Sequence, residues 1–264
     1  IRDSSFDIIT LDLHMPGESG QAWLEKQRRH GLRVPVLIFS GAAPDEAVQV
    51  LGALENGAQD YLDKCLLHQD SSELVDRVRE LSVQYRAVVR GAHQKKSIDS
   101  TRFKAEHPDL ILLGASTGGT EVLARILRHM PSNTPPVVVA QHITPNFAEP
   151  FAKRLAEVSG LRLGEIRQGE SLEKGHIYLA LDDHHIGVAR QGGRMVLVVY
   201  HESHVNRHRP SVDFLFKSAA TLDKSKILAM LLTGMGSDGA RGLLALKERG
   251  AVTMVQDEGS CVVY

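Results

Sequence analysis

The sequence has few cysteines, almost no net charge and no long apolar run, and each shortage argues against a class of protein. Its two cysteines, Cys65 and Cys261, lie far apart and form no C-x-x-C motif, so we expect neither a disulfide framework nor a zinc–cysteine site, which suits a reducing cytoplasm. A formal net charge of -1 provides no basic field for nucleic acid or lipid headgroups. No signal peptide is visible, and no stretch reaches the roughly 20 apolar residues of a membrane helix. The remaining class is an ordinary globular protein of the cytoplasm.

The chain is long enough, at 264 residues, for two domains. Short apolar runs alternate with amphipathic helical segments in residues 1–89 and again in 109–264, a pattern that predicts α/β domains with parallel sheets. Residues 90–108 are polar and lack apolar periodicity, so we interpret them as a linker. The chain starts without methionine and stops just after the apolar run CVVY. We therefore expect a fragment that lacks sequence at both ends.

Ser116 lies in the run GASTGG, between a predicted strand at 110–114 and a predicted helix at 120–130. Gly114 to Gly118 fits the G-x-S-x-G pattern, in which a sharp turn from strand to helix exposes a serine nucleophile. The free N–H groups at the start of the helix can stabilise an oxyanion. The alternative is a phosphate-binding loop or a plain helix cap, and the motif by itself favours neither interpretation. It lacks the lysine of a Walker A loop.

Two more polar side chains follow predicted strands in the second half. His142 ends the run VVVAQH, and Asp238 follows the run ILAMLLTG in a glycine-rich turn. Because the carboxyl ends of parallel strands line one crevice, His142 can act as a base for Ser116 and Asp238 can orient the imidazole. Taken singly, His142 is more simply a surface or capping residue, and Asp238 a helix cap. The chain order Ser, His, Asp differs from that of the α/β-hydrolases, so the sequence predicts a Rossmann-like sheet that carries its own triad.

Polar side chains also follow three predicted strands in the first half. Asp12, Ser40 and Lys64 are expected at one edge of that sheet. A carboxylate in this position can accept a phosphoryl group while a metal ion screens its oxygens, and the hydroxyl and amine can bind the new charge. Three unrelated strand ends explain these residues equally well when nothing else is considered.

Taken together, these motifs resemble the chemotaxis protein-glutamate methylesterases, the CheB family, over essentially the whole chain. The resemblance implies that Ser116 is the nucleophile, His142 the general base and Asp238 the residue that orients it. It places Thr117 and the backbone N–H of Met235 at the site and its oxyanion hole. The blocks that carry it are GASTGGTE (114–121), AQHITPNFAEPFAKRL (140–155), KGHIYLA (174–180), VNRHRPSVDFLF (205–216), LTGMGSDGARG (232–242) and QDEGSCVV (256–263).

The first half resembles the receiver domain of a response regulator. The block LDLHMP matches the phosphoacceptor region, so the resemblance implies phosphorylation of Asp12. It makes Ser40 the switch hydroxyl, Tyr61 the switch aromatic and Lys64 the receiver lysine. Asp12 and the backbone carbonyl of His14 would be two Mg²⁺ ligands. The remaining ligands, an acidic pair, are expected before the first residue of the chain.

Two departures from the receiver pattern matter. Cys65 stands where receivers usually have the proline that shapes the loop after the lysine, so the geometry of that loop is not predicted. A complete receiver domain of ordinary size does not fit in residues 1–89. We therefore expect only a partial receiver, and also a methylesterase domain that is truncated at its C-terminus.

The resemblance implies an α/β chain with a partial flavodoxin-like receiver followed by a doubly wound, mainly parallel, Rossmann-like methylesterase domain. The expected reaction is hydrolysis of glutamate methyl esters on methyl-accepting chemotaxis receptors, with release of methanol and with deamidation of receptor glutamines as a second activity. A chemotaxis histidine kinase would activate the enzyme by phosphorylating the receiver, with Mg²⁺ as the cofactor of that step. We expect no cofactor for catalysis, no nucleic acid and no membrane insertion. The rival interpretation is a non-enzymatic two-component signalling module that binds a phosphate or a nucleotide through GASTGG.

Overall fold

The structure is a computed structural model and describes residues 6–41, 43–67, 72–89, 107–180, 183–223 and 225–264. The chain divides into two compact units, one formed by residues 1–95 with 258–264 and the other by residues 96–257. Most of the predicted linker, 90–106, lies outside the described residues. No helix in the described ranges combines the length and the apolar character that crossing a membrane demands.

The first unit holds a parallel sheet with the strand order β1-β2-β3 in its described residues. Leu37 and Ile38 of the central strand are fully buried, as expected for a parallel strand covered on both faces. Asp12 pairs with Phe39 across the first two strands, and Ser40 pairs with Asp63 across the next two. The polar residues at the strand ends therefore share one edge. The elements are β1 (Ile9–Asp12), α1 (Gly20–Arg29), β2 (Val36–Ser40), α2 (Pro44–Glu55), β3 (Asp60–Asp63), α3 (Lys64–Leu67) and α4 (Ser72–Val89).

Arg77 connects helix α4 to strand β3. Its guanidinium forms ion pairs with Asp60 and with Glu73, the latter at 2.7 Å, and it donates a hydrogen bond to the carbonyl of Tyr61 at 3.1 Å. Burial alone would lower the pKa of Arg77, but the two carboxylates outweigh it and raise the pKa above the usual value. The arginine stays charged, and a buried charge of this kind requires its partners.

The second unit is built on a parallel sheet with the order β11-β10-β4-β5-β7-β6 and a separate antiparallel hairpin, β8-β9, within its described residues. The chain enters the sheet at β4, and the later strands lie on both sides of it, so the switch point falls between β4 and β10. Ligands of doubly wound sheets bind at the carboxyl ends of the strands at such a point. The elements are β4 (Leu110–Ala115), α5 (Gly119–Leu127), β5 (Val137–Gln141), α6 (Pro145–Ser159), β6 (Arg162–Leu163), β7 (His176–Leu179), β8 (His185–Gln191), β9 (Arg194–Tyr200), α7 (Val212–Ala219), β10 (Ile227–Leu231), α8 (Ala240–Glu248) and β11 (Val252–Val255).

The fold class expected from the sequence is confirmed, but the sequence did not predict the strand β8. That strand contains weak strand formers, among them Gly187. A Cβ at Gly187 would lie 2.9 Å from the Ser218 hydroxyl, so the glycine lets α7 pack closely on the hairpin. The hairpin turns through Gly192 and Gly193, both with positive φ, which the primed two-residue turns require.

Candidate active site

Ser116 lies one residue beyond β4, at the carboxyl edge of the sheet. Its N–H donates to the Thr233 carbonyl at 3.0 Å, which ties the serine to the loop after β10. Its carbonyl accepts from the buried Gln141 side chain at 2.9 Å. Gly118, with a φ of 76°, then turns the chain into α5. The serine is therefore held by both neighbouring strands at the start of a helix, as the G-x-S-x-G interpretation requires.

His142 follows β5 directly and reaches Ser116 from the adjacent strand. Its N–H donates to the Ala115 carbonyl at 3.1 Å, which extends the pairing of β4 and β5 past the strand end. The imidazole Nδ1 lies 3.0 Å from Ser116 Oγ, and Nε2 lies 2.8 Å from Asp238 Oδ2. Because Asp238 can only accept, Nε2 carries the ring proton in the neutral imidazole and Nδ1 presents its lone pair to the serine hydroxyl. Nδ1 is thus the basic atom.

Asp238 is almost completely buried, with 2% of its side chain exposed. Burial alone would raise the pKa of Asp238, but the hydrogen bonds from His142, Asn206 and Ser211 outweigh it and hold the pKa well below the usual range. Two N–H groups in the first turn of α7, those of Val212 and Asp213, also point at the carboxylate, at 2.7 and 3.2 Å. A negative charge at a helix N-terminus is stabilised by the helix dipole. Asp238 therefore stays ionised and can stabilise a protonated His142.

Asp213 supports the loop that carries Asp238, a role that the sequence analysis missed. Its side chain is buried, and Oδ1 accepts from the N–H groups of Gly239 at 3.1 Å and Gly242 at 2.7 Å. These donors lie at the start of α8, so Asp213 on α7 caps the neighbouring helix. Close approach of α7 depends on Gly114, since a Cβ there would lie 2.2 Å from Val212 Cγ1. The glycine-rich sequence signalled a tight turn but did not reveal this packing.

The loop after β10 passes directly over the nucleophile. A Cβ on Gly234 would lie 2.7 Å from Ser116 Cβ, so only glycine allows this approach. Met235 lines the pocket with Ser116 and His142. In the part of the chain that the structure describes, no backbone carbonyl accepts a hydrogen bond from the N–H of Met235. Thr117 is buried beside the nucleophile, and its carbonyl accepts from the Thr233 hydroxyl at 3.0 Å. The oxyanion roles of Met235 and Thr117 stay predictions.

In the first unit, the structure brings Asp12 and Lys64 together but pairs Ser40 with a different residue. Lys64 Nζ lies 2.6 Å from Asp12 Oδ2, and the N–H of His14 donates to Oδ1 at 3.0 Å. Partial burial would raise the pKa of Asp12, but these two donors lower it below the usual value. The Ser40 hydroxyl donates to Glu46 at 2.7 Å. Tyr61 is buried in β3. The switch roles that the resemblance implies for these residues stay predictions.

The Mg²⁺ predicted at Asp12 stays a prediction. No group of three or more His, Cys, Asp or Glu side chains suited to a metal ion occurs among the described residues. Both oxygens of Asp12 already accept hydrogen bonds. Magnesium takes six oxygen ligands, several of which are usually waters, and Asp12 and the His14 carbonyl would supply two of them.

Comparison with known proteins identifies relatives of both units. The family described as CheB methylesterase matches residues 111–264, and the response regulator receiver domain matches residues 1–79. A protein-glutamate methylesterase/protein-glutamine glutaminase of Vibrio vulnificus is 40% identical over 98% of this chain and 76% of its own length. One from Pseudomonas aeruginosa is 37% identical over 100% of this chain and 77% of its own. The crystal structure of the Thermotoga maritima CheB methylesterase catalytic domain superposes with a TM-score of 0.57 at 37% identity, over 60% of this chain and 84% of that one.

Proposed function

The chain belongs to the CheB methylesterase family, and from this premise we propose that it is a serine hydrolase that demethylates glutamate methyl esters on chemotaxis receptors. The observation that carries the proposal is the hydrogen-bonded series Ser116 Oγ, His142 and Asp238, with contacts of 3.0 and 2.8 Å. A nucleophile, a base and a group that orients the base are the minimal set for acyl transfer. A phosphate-binding loop has no need for a base in contact with its serine.

The proposed reaction has two steps on one serine. His142 Nδ1 takes the proton of Ser116 Oγ while Oγ attacks the ester carbonyl, and the N–H of Met235 stabilises the oxyanion. The C–O bond to the methoxy group then breaks, and the proton on Nδ1 passes to the leaving oxygen, so that methanol departs. Water attacks the acyl-enzyme with the same base, and the receptor glutamate and free Ser116 are released. Asp238 stabilises the imidazolium in both steps.

The same residues are suited to a second substrate, the side-chain amide of a receptor glutamine. The tetrahedral intermediate is the same except for its leaving group, which becomes ammonia after protonation by His142. The relatives of Vibrio vulnificus and Pseudomonas aeruginosa carry both activities in their names. Because an amine is a poorer leaving group than an alkoxide, we expect deamidation to depend even more strongly on proton transfer from His142.

We propose that phosphorylation of the first unit regulates the methylesterase. A chemotaxis histidine kinase transfers a phosphoryl group to Asp12: the P–N bond of the phosphohistidine breaks and a P–O bond to the carboxylate forms. The match to a receiver domain and the contact of Lys64 with Asp12 support this assignment. A phosphodonor should raise methanol release by the protein, and Asp12→Asn should abolish that rise. An equal rise in the Asp12→Asn variant would count against it.

We propose that the protein is located in the cytoplasm. The sequence has two cysteines, far apart and outside any C-x-x-C motif, a composition typical of compartments in which thiols stay reduced. The proposed phosphodonor is also an intracellular kinase. Fractionation of cells should find the protein with the soluble enzymes of the cytoplasm.

Methanol release from a receptor with labelled methyl esters tests the hydrolase. General-base help is worth about 10²–10⁴-fold, so His142→Ala should lose at least about 10²-fold in rate. Ser116→Ala removes the nucleophile itself and should lose at least as much. Ser159→Ala is the matched control, since that hydroxyl bonds backbone groups at the end of α6: it donates to the carbonyls of Leu155 and Ala156 and accepts from the N–H of Leu161. Methanol release by Ser116→Ala at the wild-type rate would refute the assignment. Nucleotide binding without hydrolysis would support the signalling module instead.

A further inference from the structure

A tight turn at residues 205–208 lies against the catalytic groups of the second unit. The N–H of His208 donates to the Val205 carbonyl at 3.0 Å, and the N–H of Val205 donates back to the His208 carbonyl at 3.1 Å. The two residues between them, Asn206 and Arg207, have φ values of 54° and 68°. This is the geometry of a primed two-residue turn, whose second position favours glycine. An arginine there is unfavourable for the backbone, and outliers of this kind cluster at functional sites.

The turn delivers two side chains to the catalytic groups. Asn206 Nδ2 donates to Asp238 Oδ1 at 2.7 Å. The His208 ring stacks on the His142 ring, with centroids 3.7 Å apart and an angle of 11° between the planes. His142 is therefore held along its edges by Ser116 and Asp238, and on one face by a second imidazole.

Support from the face of the ring matters because of the torsion that sets the ring plane. The χ2 angle of histidine is a broad sp³–sp² torsion, so the side chain itself resists tilting only weakly. A tilt would move Nδ1 away from Ser116 Oγ, its partner at 3.0 Å. Misplacement of a catalytic group by about 1 Å can cost about 10²-fold in rate. A flat surface parallel to the ring opposes this tilt without competing for either ring nitrogen.

We propose that His208 is a positioning residue: it fixes the plane of the His142 ring by stacking on it, so that Nδ1 stays aligned with the serine hydroxyl. The flat face of the side chain does this, and no proton of His208 takes part. A phenylalanine, which offers a flat face and no titratable group, should therefore replace it. The inference rests on the proposed function, since the alignment matters for proton transfer from Ser116.

The test compares three variants of the full chain in the methanol-release assay. His208→Ala should lower kcat by roughly 10–100-fold and leave KM within about twofold, because a lost alignment acts on the chemical step. His208→Phe should recover kcat to within about threefold of the wild type. His129→Ala is the matched control, since His129 is exposed two residues after the end of α5, and it should behave like the wild type.

Two outcomes would overturn the proposal. A His208→Ala variant with the wild-type kcat would show that the stack does not align the base. A His208→Phe variant as slow as His208→Ala would show that the imidazole acts through a hydrogen bond or a charge. Thermal unfolding checks that each variant is folded. If His208→Ala does not fold, His208→Gln, which also lacks a ring, takes its place with the same expectations.

A spectroscopic measurement separates failure of this inference from failure of the proposed function. In the wild type, the N–H at His142 Nε2 donates to Asp238 Oδ2 at 2.8 Å, and its proton should give a downfield, slowly exchanging ¹⁵N-bound resonance. His208→Ala should broaden it or speed its exchange with water, and His208→Phe should restore it. An unchanged resonance in His208→Ala overturns the positioning role. Absence of methanol release by the wild type overturns the proposed function and leaves this readout intact.

Discussion

Replacing Asp238 by asparagine should preserve the shape of the site but prevent His142 from acting as a base. Among the described residues, five donors point at this carboxylate: two at Oδ2, from His142 and Val212, and three at Oδ1. The amide –NH₂ of asparagine must occupy the position of either Oδ1 or Oδ2. It would then face the donors that point at that oxygen in the wild type. The Oδ2 side has fewer donors, and His142 can adapt by moving its own proton. We expect the –NH₂ on that side.

The catalytic consequence follows from the tautomer of His142. With an N–H donor opposite Nε2, the ring proton moves to Nδ1, which then points at Ser116 and no longer accepts its proton. In a serine protease the corresponding Asp-to-Asn change lowers kcat about 10⁴-fold for this reason, and we expect at least about 10³-fold here. The Val212 N–H is left opposite a donor, which should cost about 1–3 kcal/mol of folding free energy.

The assay measures kcat for methanol release and the unfolding free energy in urea for Asp238→Asn. Asp223→Asn is the matched control, because Asp223 is exposed and lies outside the site. The control should match the wild type in both measurements. If Asp238→Asn kept kcat within about tenfold of the wild type, the proton on His142 would not be set by Asp238, and the assignment of Nδ1 as the base would fail.

Three further predictions follow from other contacts. Gly234→Ala should lower kcat about 10²-fold with little change in KM, because the new Cβ would lie 2.7 Å from Ser116 Cβ. Wild-type kinetics would contradict this and show that the loop can move to make room for the Cβ. Arg77→Leu should destabilise the first unit by about 3–5 kcal/mol in urea unfolding, since Asp60 would stay buried without its cation; a loss below about 1 kcal/mol would contradict this. The stability that Asp238 contributes through its lowered pKa is present above the pKa of an aspartate in the unfolded chain, about 3.9. The stability gap between wild type and Asp238→Asn should therefore hold from pH 8 to about 5 and shrink below about pH 4; a gap that is constant to pH 2 would contradict it.

The meeting of polar residues at the strand ends was predictable from the sequence, because apolar runs that alternate with helical segments mark where the parallel strands end. Ser116, His142 and Asp238 each come after an apolar run, and parallel strands bring such positions to one edge. The structure places these three side chains in hydrogen-bond contact. The pairing of Asp12 with Lys64 follows from the same rule.

The supports of the site were not predictable in this way. Asn206 and Ser211 contact Asp238 across 32 and 27 positions of the chain, and His208 stacks on His142 from a loop with no periodic signal. Asp213 looks in the sequence like an ordinary first-turn acid of its own helix, and only packing shows that it caps the next one. Short elements such as β6 and α3 carry too few residues for any period to emerge.

Covalent labelling with a serine-directed fluorophosphonate tests the central claim, that Ser116 is a nucleophile activated by His142, most directly. The intact protein is incubated with the reagent, and the modified residue is located by peptide mass spectrometry. We predict one adduct on Ser116, no adduct in Ser116→Ala, and labelling slowed by at least about 10²-fold in His142→Ala. An adduct at another serine, no adduct at all, or labelling of His142→Ala at the wild-type rate would contradict the account.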